Sequence, residues 1–244
     1  MRFAVDFHTH TISSGHHTTD TLTDLAKAAA DKGLSYLAVT DHAFGMPNGA
    51  TDAYFLGLKL IERKKCGVNL LFGAEVNVLD DKGRVDLSTA TMKELDFTIV
   101  SQHPDCFSPA SERTNTAALV NAMQNPYVNI VGHPDNEKYP LNYHALTDAA
   151  KEFDVFLEVN NASLAPDGYR GNVRNRYTEM LTLCKEKKVS VTFGSDSHGR
   201  AHVGDFSYCE QLIKELDFPT ELIANYNVDR FLSKVLIHRK KFLR

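Results

Sequence analysis

Two hydrophobic patterns alternate along the chain, and each predicts a different kind of element. Short runs of apolar and β-branched residues predict strands, and longer stretches with apolar residues at helical spacing predict helices. Asp20 or Thr21 would cap the first helix, and Gly33 would end it. The strand pattern occupies residues 3–7, 36–39, 70–72, 97–100, 128–131, 155–159 and 190–193. The helical pattern occupies residues 22–32, 117–123, 146–153, 173–187 and 206–216, and a small hairpin is predicted at residues 80–85.

The order of these elements, strand then helix throughout the chain, predicts a parallel sheet with right-handed crossovers. Such a sheet either closes into a barrel or stays open. No G-x-G-x-x-G motif follows a predicted strand, which weakens the open, dinucleotide-binding arrangement. No linker rich in Pro, Gly or Ser divides the chain, so we expect a single domain over residues 1–244.

Composition excludes some functions without choosing one. Hydrophobic residues make up 43% and charged residues 24% of the 244 residues, as in a globular protein with a large core. The net charge of −4 provides no basic surface for nucleic acid. The four cysteines are scattered, and no leader-like or membrane-length apolar segment is present. We therefore expect reduced thiols and a cytoplasmic protein that does not enter a membrane.

The positions of the histidines carry more information than their number, which is eleven. In a parallel barrel, the C-terminal ends of all strands lie on one face, where active sites are built. Six of the seven predicted strands end in side chains that can bind a metal, namely His8 with His10, His42, Glu75, His103, His133, and Asp196 with His198. The sequence therefore predicts a metal site at this face.

Local spacing supports a metal site. Residues two apart on a strand project to the same side, so His8 and His10 would hold one ion together, and Asp196 and His198 form a similar pair. Asp6 lies on the same side and is expected to accept a hydrogen bond from an imidazole. Imidazole and carboxylate ligands suit zinc, manganese or iron. Taken singly, each motif is more often a histidine that a neighbouring carboxylate satisfies than a metal ligand. Their joint occurrence at the strand ends favours the metal site.

These motifs, in this order, resemble the polymerase and histidinol phosphatase (PHP) family, with its H-x-H, T-D-H, lone Glu, two separated His and late D-x-H. Several stretches are similar to the YcdX-like phosphatases of that family: VDFHTHT at 5–11, TNT at 114–116, HP at 133–134, EVNN at 158–161 and GSDSH at 194–198. The resemblance covers the whole chain. It implies a distorted (β/α)7 TIM-like barrel with three divalent metal ions at the C-terminal ends of its strands. Zinc is the first expectation, with manganese or iron as alternatives.

The resemblance also implies a ligand set for each ion. A first ion would be held by His8, His10, Glu75 and Asp196. Glu75 would bridge to a second ion, which His103 and His133 complete. A third would be held by His16, His42 and His198. The count of six residues from His10 selects His16, and His17 stays open as an alternative because the chain carries an extra residue just after that point.

Such a centre predicts hydrolysis of a phosphomonoester by a hydroxide that bridges two ions, with a small phosphorylated molecule as the substrate. The predicted catalytic residues are Asp41, His103 and Asp196. Asp41 would act either as general acid for the leaving group or as a partner of His42. The phosphate would be clamped by Arg170, Arg174 or Arg176, unless these arginines are simply solvated at the start of a helix.

Several other functions stay open at this point. Histidinol-phosphate phosphatase and nuclease are alternatives within the family. An amidohydrolase normally bridges its metals with a Lys after the fourth strand, where this chain has His103. A non-catalytic metal-binding module would be expected to lack ligands, whereas every expected position is filled. His144 and His238 fit no ligand position and are expected at the surface. The sequence also leaves a homo-oligomer open.

Overall fold

The computed structural model describes residues 2–15, 18–166, 168 and 170–242. Its strands are β1 (Val5–Asp6), β2 (Thr9–His10), β3 (Tyr36–Val39), β4 (Lys64–Lys65), β5 (Val68–Phe72), β6 (Glu75–Asn77), β7 (Thr98–Ser101), β8 (Val128–Val131), β9 (Phe156–Asn160), β10 (Val191–Gly194) and β11 (Ser197–His198). Its α-helices are α1 (Leu22–Asp31), α2 (Asp52–Gly57), α3 (Thr89–Lys93), α4 (Glu112–Ala122), α5 (Tyr143–Phe153), α6 (Val173–Lys187), α7 (Ser207–Glu215) and α8 (Val228–Phe242). Short 3-10 helices span Ile12–Ser14, Leu58–Leu60, Thr220–Leu222 and Ala224–Tyr226.

Side-chain caps determine where several helices begin. Thr21 and Asp24 form a reciprocal capping box at the start of α1, so Thr21 rather than Asp20 is the cap. Ser111 accepts a hydrogen bond from the main chain of Thr114 and caps α4. This cap starts α4 five residues before the predicted position, because the first turn of the helix is polar and lies outside the apolar repeat.

The strands of the described residues form three sheets. Their orders are β1-β3-β5-β4, β10-β9-β8-β7-β6 and β11-β2. Neighbouring strands are parallel in every pair except β4 with β5. Only Gly73 and Ala74 separate β5 from β6, and Glu75 at the start of β6 forms a parallel bridge with His42. The first two sheets are therefore connected through one bent stretch of chain.

The predicted α/β fold with parallel strands is confirmed. Every predicted strand region contains a parallel strand, and β3 and β8 have the predicted bounds. The hairpin is present, with an antiparallel bridge between Val78 and Val85. Three helices lie outside the predicted helical stretches: α2, α3 and α8. The first two have six and five residues, too few for a helical repeat to show in the sequence. Closure into one seven-stranded barrel stays a prediction, because the described strands form three sheets.

The last helix, α8, packs beneath the strands. Its Phe231 ring lies 4.2 Å from the ring of Phe7 and 5.0 Å from that of Phe156, centroid to centroid. The ring of His238 is buried, with Nδ1 2.6 Å from the carbonyl oxygen of Phe153 and Nε2 2.9 Å from that of Asn125. The expected surface position of His238 was therefore wrong, because one face of this basic helix belongs to the core. Among the described residues, no helix has the length and apolar character needed to cross a bilayer.

Asn225 fills the space between β1 and β10, which do not pair directly. Its side-chain oxygen accepts a hydrogen bond from Phe193 N at 2.7 Å, and its side-chain nitrogen donates to the carbonyls of Phe193 and Val5 at 2.8 and 3.0 Å. Its own carbonyl accepts from Ala4 N at 2.8 Å. One fully buried amide thus replaces the ladder that a strand would provide.

We expect the substitution Asn225→Ala to lower the free energy of unfolding by about 3 kcal/mol, because it leaves several buried main-chain groups without a partner. Urea unfolding followed by circular dichroism measures the change. Asn175→Ala, at an exposed position of α6, is the control and should change stability little. A difference below 1 kcal/mol between the two variants would show that water replaces the amide.

Candidate metal centre

The structure brings eight of the nine predicted ligands to one place. They are His8, His10, His42, Glu75, His103, His133, Asp196 and His198, and all except His198, which is partly exposed, are buried or nearly so. Each of these residues lies in a strand or within three residues of the end of one, so the chain direction of the strands gathers them at one face. The ninth, His16, and its alternative His17 lie outside the described residues.

Glu75 stands at the centre of this group, and its two oxygens face different histidines. Oε2 lies 2.8 Å from Nδ1 of His42 and 3.2 Å from Nε2 of His8. Oε1 lies 2.9 Å from Nε2 of His133 and 3.5 Å from Nε2 of His103. One carboxylate therefore lies between two sets of imidazole nitrogens, which is the arrangement of a bridging ligand.

Asp196 and His198 approach the same centre from the end of β10. Oδ1 of Asp196 lies 3.2 Å from Nε2 of His10 and 3.6 Å from Nε2 of His8. The ring of His198 stacks on that of His10 with centroids 4.3 Å apart. Asp196 adopts a left-handed backbone with φ of 54°, and His133 has φ of 27°. Unusual backbone of this kind concentrates at functional sites, where the surrounding structure maintains it.

The polar atoms at the centre suit a cation better than they suit one another. Within the part of the chain that the structure describes, two buried ring nitrogens at the centre have no hydrogen-bond partner: Nε2 of His8 and Nε2 of His10. Buried polar atoms are rarely left unsatisfied unless a water or an ion occupies the space between them. Within the described residues, ligand atoms come within 4.8 Å of one another in three groups: His10, His42 and His198; His8, His10 and Glu75; His42, Glu75 and His103. Nitrogen and carboxylate donors in this arrangement fit divalent zinc, manganese or iron.

Hydrogen bonds to Nδ1 leave Nε2 of three rings free to bind a metal. Nδ1 of His8 lies 2.7 Å from Oε1 of Glu158, which can only accept when it is ionised. Nδ1 of His10 lies 2.8 Å from the hydroxyl of Ser14, whose own proton goes to a carboxylate oxygen. Nδ1 of His103 lies 2.7 Å from the side-chain oxygen of Asn77. In each case Nδ1 is the donor, so the lone pair is on Nε2, as in most histidine ligands with an outer partner.

Glu158 connects His8 with His133, a role that was not predicted from the sequence. Oε1 accepts from the His8 ring, and Oε2 accepts from the main-chain nitrogen of His133 at 2.7 Å. The Glu158 side chain lies close to the main chain of Gly194, since a Cβ there would stand 2.1 Å from Oε1 of Glu158. The signal in the sequence was a single carboxylate inside the apolar run of β9, because a buried charge needs partners.

Asp6 has a different role from the one predicted. Its carboxylate accepts from the main-chain nitrogens of His8 at 3.3 Å, Ser195 at 3.1 Å and Gly204 at 2.8 Å. Burial raises the pKa of Asp6 to about 6, although these hydrogen bonds oppose the rise. Asp6 therefore fastens the loop after β10 to β1, and the imidazole partner of His8 is Glu158.

Asp41 is placed as a hydrogen-bond acceptor. Oδ1 accepts from Thr11 N at 2.6 Å and from the hydroxyl of Ser14 at 2.7 Å. Oδ2 accepts from the hydroxyls of Thr11 at 2.8 Å and Tyr54 at 2.5 Å. Four donors are thus directed at this fully buried carboxylate. The geometry favours the alternative of an outer partner, which acts through Ser14 on His10, and the general-acid role stays a prediction.

Burial and neighbouring charges favour the protonation states that metal binding needs at Glu75, His10 and His103. At His8, burial lowers the pKa, but the nearby carboxylates, Glu158 foremost, outweigh it and raise the pKa well above the usual value. Burial opposes ionisation of Glu75, but the surrounding histidines, His42 foremost, hold its pKa well below the usual value. Burial is the main cause that keeps the pKa of His103 well below its usual value. Burial also lowers the pKa of His10, with His198 and His42 adding to the effect. An ionised bridging carboxylate and neutral imidazoles are the forms that ligate cations.

A cavity of about 380 Å³ opens onto the cluster. Its lining includes His103 and Asp196, together with residues from the loops around the site: Met46, Pro104, Asp105, Ala162, Ser163 and Arg170. Arg170 is buried, with one guanidinium nitrogen 3.4 Å from Oδ2 of Asp196. Arg174 instead pairs with Glu215 at the surface. Of the three arginines considered as phosphate clamps, Arg170 is the one that the structure brings to the cavity lining.

Comparison with known sequences agrees with this geometry. The chain matches the family model described as the PHP domain over residues 6–216. It is 41% identical over 233 residues to a probable phosphatase of Clostridium novyi (strain NT), which covers 96% of this chain and 94% of that protein. It is 39% identical over 242 residues to a probable phosphatase of Caldanaerobacter subterraneus subsp. tengcongensis, which covers 99% of this chain and 94% of that protein.

Comparison with solved structures supports the fold. A histidinol phosphate phosphatase from Lactococcus lactis, in complex with zinc, L-histidinol and phosphate, aligns with a TM-score of 0.61 over 90% of this chain and 95% of that one. A putative histidinol phosphatase from Listeria monocytogenes aligns with the same TM-score over 84% and 99%. Both are 18% identical in sequence, so they show a shared α/β fold alone.

Proposed function

The chain belongs to the PHP domain family, and on that premise we propose that it is a metal-dependent phosphatase of small phosphomonoesters. The observation that carries the proposal is the division of the two Glu75 oxygens between two groups of histidines, with the unsatisfied Nε2 atoms of His8 and His10 close by. The names of the curated relatives, probable phosphatases, support the reaction class.

The proposed centre holds three divalent ions, with zinc first and manganese or iron as alternatives. The first ion is assigned to His8, His10, Glu75 and Asp196, and the second to Glu75, His103 and His133. The third is assigned to His42 and His198 with His16. Support for the first two comes from the separate contacts of the two Glu75 oxygens. Support for the third is the grouping of His42 and His198 with His10.

Bound divalent ions lower the pKa of water towards neutrality and so supply a nucleophile, and they balance the negative charge of a phosphoryl group. The chain contributes the position of that chemistry. His103 and Asp196 line the cavity, so a phosphate bound in it would lie beside two proposed ligands. Arg170 adds a permanent positive charge beside Asp196, suited to a phosphate oxygen. Asp41 contributes by fixing Ser14 and through it the ring of His10.

The size and lining of the cavity favour a small substrate. A volume of about 380 Å³ is near the lower end of pockets that enclose metabolite-sized ligands. The bound ligands of the Lactococcus lactis structure, L-histidinol and phosphate, make histidinol phosphate one ester to test here. A nuclease would need an open channel for a polynucleotide, and a net charge of −4 gives such a strand little attraction.

The proposal includes a distorted (β/α)7 barrel beneath the site. Support comes from one buried cluster to which six strands contribute a side chain each: Val5, Ala38, Leu71, Ile99, Ile130 and Phe156. Asn225 and the pairing of β11 with β2 connect the last strand to the first. A barrel would direct all strand ends to the face where the ligands lie.

The test is metal analysis and activity on the same purified protein. We expect close to three equivalents of metal, and activity on phosphomonoesters that a chelator abolishes and added zinc or manganese restores. A panel of phosphomonoesters, phosphodiesters, single-stranded oligonucleotides, amides and lactones identifies the reaction class. Cleavage of amides or lactones alone would make the chain an amidohydrolase. Full metal content without hydrolysis of any ester would favour a binding module.

A further inference from the structure

Asp86 is a buried carboxylate outside the set of proposed ligands, directly after the hairpin at residues 78–85. All its hydrogen bonds come from N–H donors. Oδ1 accepts from Asn77 N at 2.8 Å, and Oδ2 accepts from the side-chain nitrogen of Asn77 at 2.5 Å and from Gly45 N at 2.8 Å. An ionised carboxylate has only acceptors to offer, so it satisfies this set in full.

These contacts fix which way the Asn77 amide faces. Because its nitrogen is directed at Asp86, its oxygen is directed at Nδ1 of His103, 2.7 Å away. Asn77 lies two residues after Glu75 on β6, so both side chains face the centre. The carboxylate of Asp86 thereby determines, through one amide, that Nδ1 of His103 carries the proton and Nε2 is free.

The third contact of Asp86 reaches the loop that follows His42. Gly45 lies so close that a Cβ there would stand 2.6 Å from Oδ2 of Asp86 and 3.1 Å from the sulfur of Cys106. The next residue, Met46, lines the cavity. Ala43 and Ala50 bridge the two ends of this loop. A single buried side chain thus holds one proposed metal ligand and one wall of the substrate cavity.

We propose that Asp86 is a positioning residue that sets the tautomer of His103 through Asn77 and anchors the cavity loop through Gly45. The role in metal binding rests on the proposed function, since it takes His103 as a ligand. The tautomer of His103 can be measured whether or not the chain hydrolyses any ester.

The variants are Asp86→Asn and the exchange Asn77→Asp with Asp86→Asn. In either orientation of its new amide, Asn at position 86 directs an N–H group at an N–H group of Asn77. When the new NH₂ group takes the place of Oδ2, the side-chain amide of Asn77 turns over, and its oxygen no longer holds the proton on Nδ1 of His103. When it takes the place of Oδ1, it repels the main-chain N–H of Asn77 and displaces the residue together with its side chain. In the exchange, the carboxylate at position 77 accepts from both the His103 ring and the new amide, so the ring contact is restored. In the exchange variant, the main-chain N–H of Gly45 faces the NH₂ group at position 86, so this contact is not restored. Asp81→Asn, in the exposed turn of the same hairpin, is the control.

The tautomer is measured by nitrogen NMR of histidine-labelled protein, with His103→Gln used to assign the signal, and zinc affinity is measured by competition with a chelator. We expect Asp86→Asn to populate the Nε2–H tautomer and to weaken zinc binding roughly 10- to 100-fold. The exchange should restore the Nδ1–H tautomer and the affinity. If the enzyme is active, the exchange should still raise KM, because the loop contact stays broken.

Two results would overturn the proposal. One is an Asp86→Asn variant in which His103 keeps the wild-type tautomer and the protein keeps the wild-type zinc affinity. The other is an exchange variant that folds, as circular dichroism reports, and still fails to restore the tautomer. If Asp86→Asn does not fold, the His103 tautomer of the exchange variant alone decides whether the proposal stands. Absence of hydrolysis with a normal tautomer response would contradict the proposed phosphatase and leave the assignment of Asp86 standing.

Discussion

Substitution of Glu75 by Gln is expected to lower turnover by at least about 10³-fold, a loss of roughly 4 kcal/mol in transition-state stabilisation. It should also reduce the metal content below that of the wild type. Glutamine keeps the shape of the side chain but removes one negative charge from the centre of the histidine cluster. Kinetics on the best phosphomonoester substrate and metal analysis of the same sample measure the two effects.

The physical reason is the opposite orientation of the two Glu75 oxygens. Oε2 faces His8, His10 and His42, and Oε1 faces His103 and His133. An amide has a single oxygen, so its NH₂ group would point at one of these two sets and repel a cation there. One of the two ions that Glu75 is proposed to share would lose a ligand and meet a donor in its place.

The matched control is Glu186→Gln on α6, an exposed position with the same change in charge. It should keep full metal content and turnover. If Glu75→Gln retained turnover within tenfold of the control, Glu75 would not be a bridging ligand, and the two histidine groups would have to act separately. A folded variant that loses metal and turnover together supports the assignment.

The strand ends could be predicted because their sequence pattern is local. A short apolar run followed by His or a carboxylate identifies both the strand and the side chain that leaves its end, as with Val128–Val131 and His133. Parallel pairing then brings such ends together without further information. For this reason eight of the nine predicted ligands, from His8 to His198, converge in the structure, and the ninth lies outside the described residues.

The supporting side chains could not be predicted in this way, because their partners are distant in sequence. Glu158 is 150 residues from the ring of His8, and Asp86 acts on His103 only through Asn77. Arg170 has the local sequence of a solvated helix start, yet its guanidinium is buried beside Asp196. Hydrogen-bonding direction within a packed site depends on all neighbours at once, and no periodicity in the chain records it.

Glu158→Gln is the second substitution with a large expected effect. It should weaken zinc binding and lower turnover, each roughly 10- to 100-fold. The wild-type carboxylate accepts from the His8 ring with Oε1 and from His133 N with Oε2. Glutamine can satisfy only one of these two donors. With its oxygen at the His8 ring, its NH₂ group meets His133 N. With its oxygen at His133 N, the NH₂ group faces Nδ1 of His8 and moves the ring proton to Nε2, where the metal should bind.

Both orientations therefore weaken metal binding, but through different histidines. Nitrogen NMR of the histidine rings can distinguish them. A His8 ring with its proton on Nε2 indicates that binding of the first ion is weakened. A normal His8 tautomer with a displaced His133 indicates that binding of the second ion is weakened. Glu152→Gln at the exposed end of α5 is the control with the same change in charge and should bind zinc normally. Wild-type zinc affinity in folded Glu158→Gln would show that water can take the place of the carboxylate.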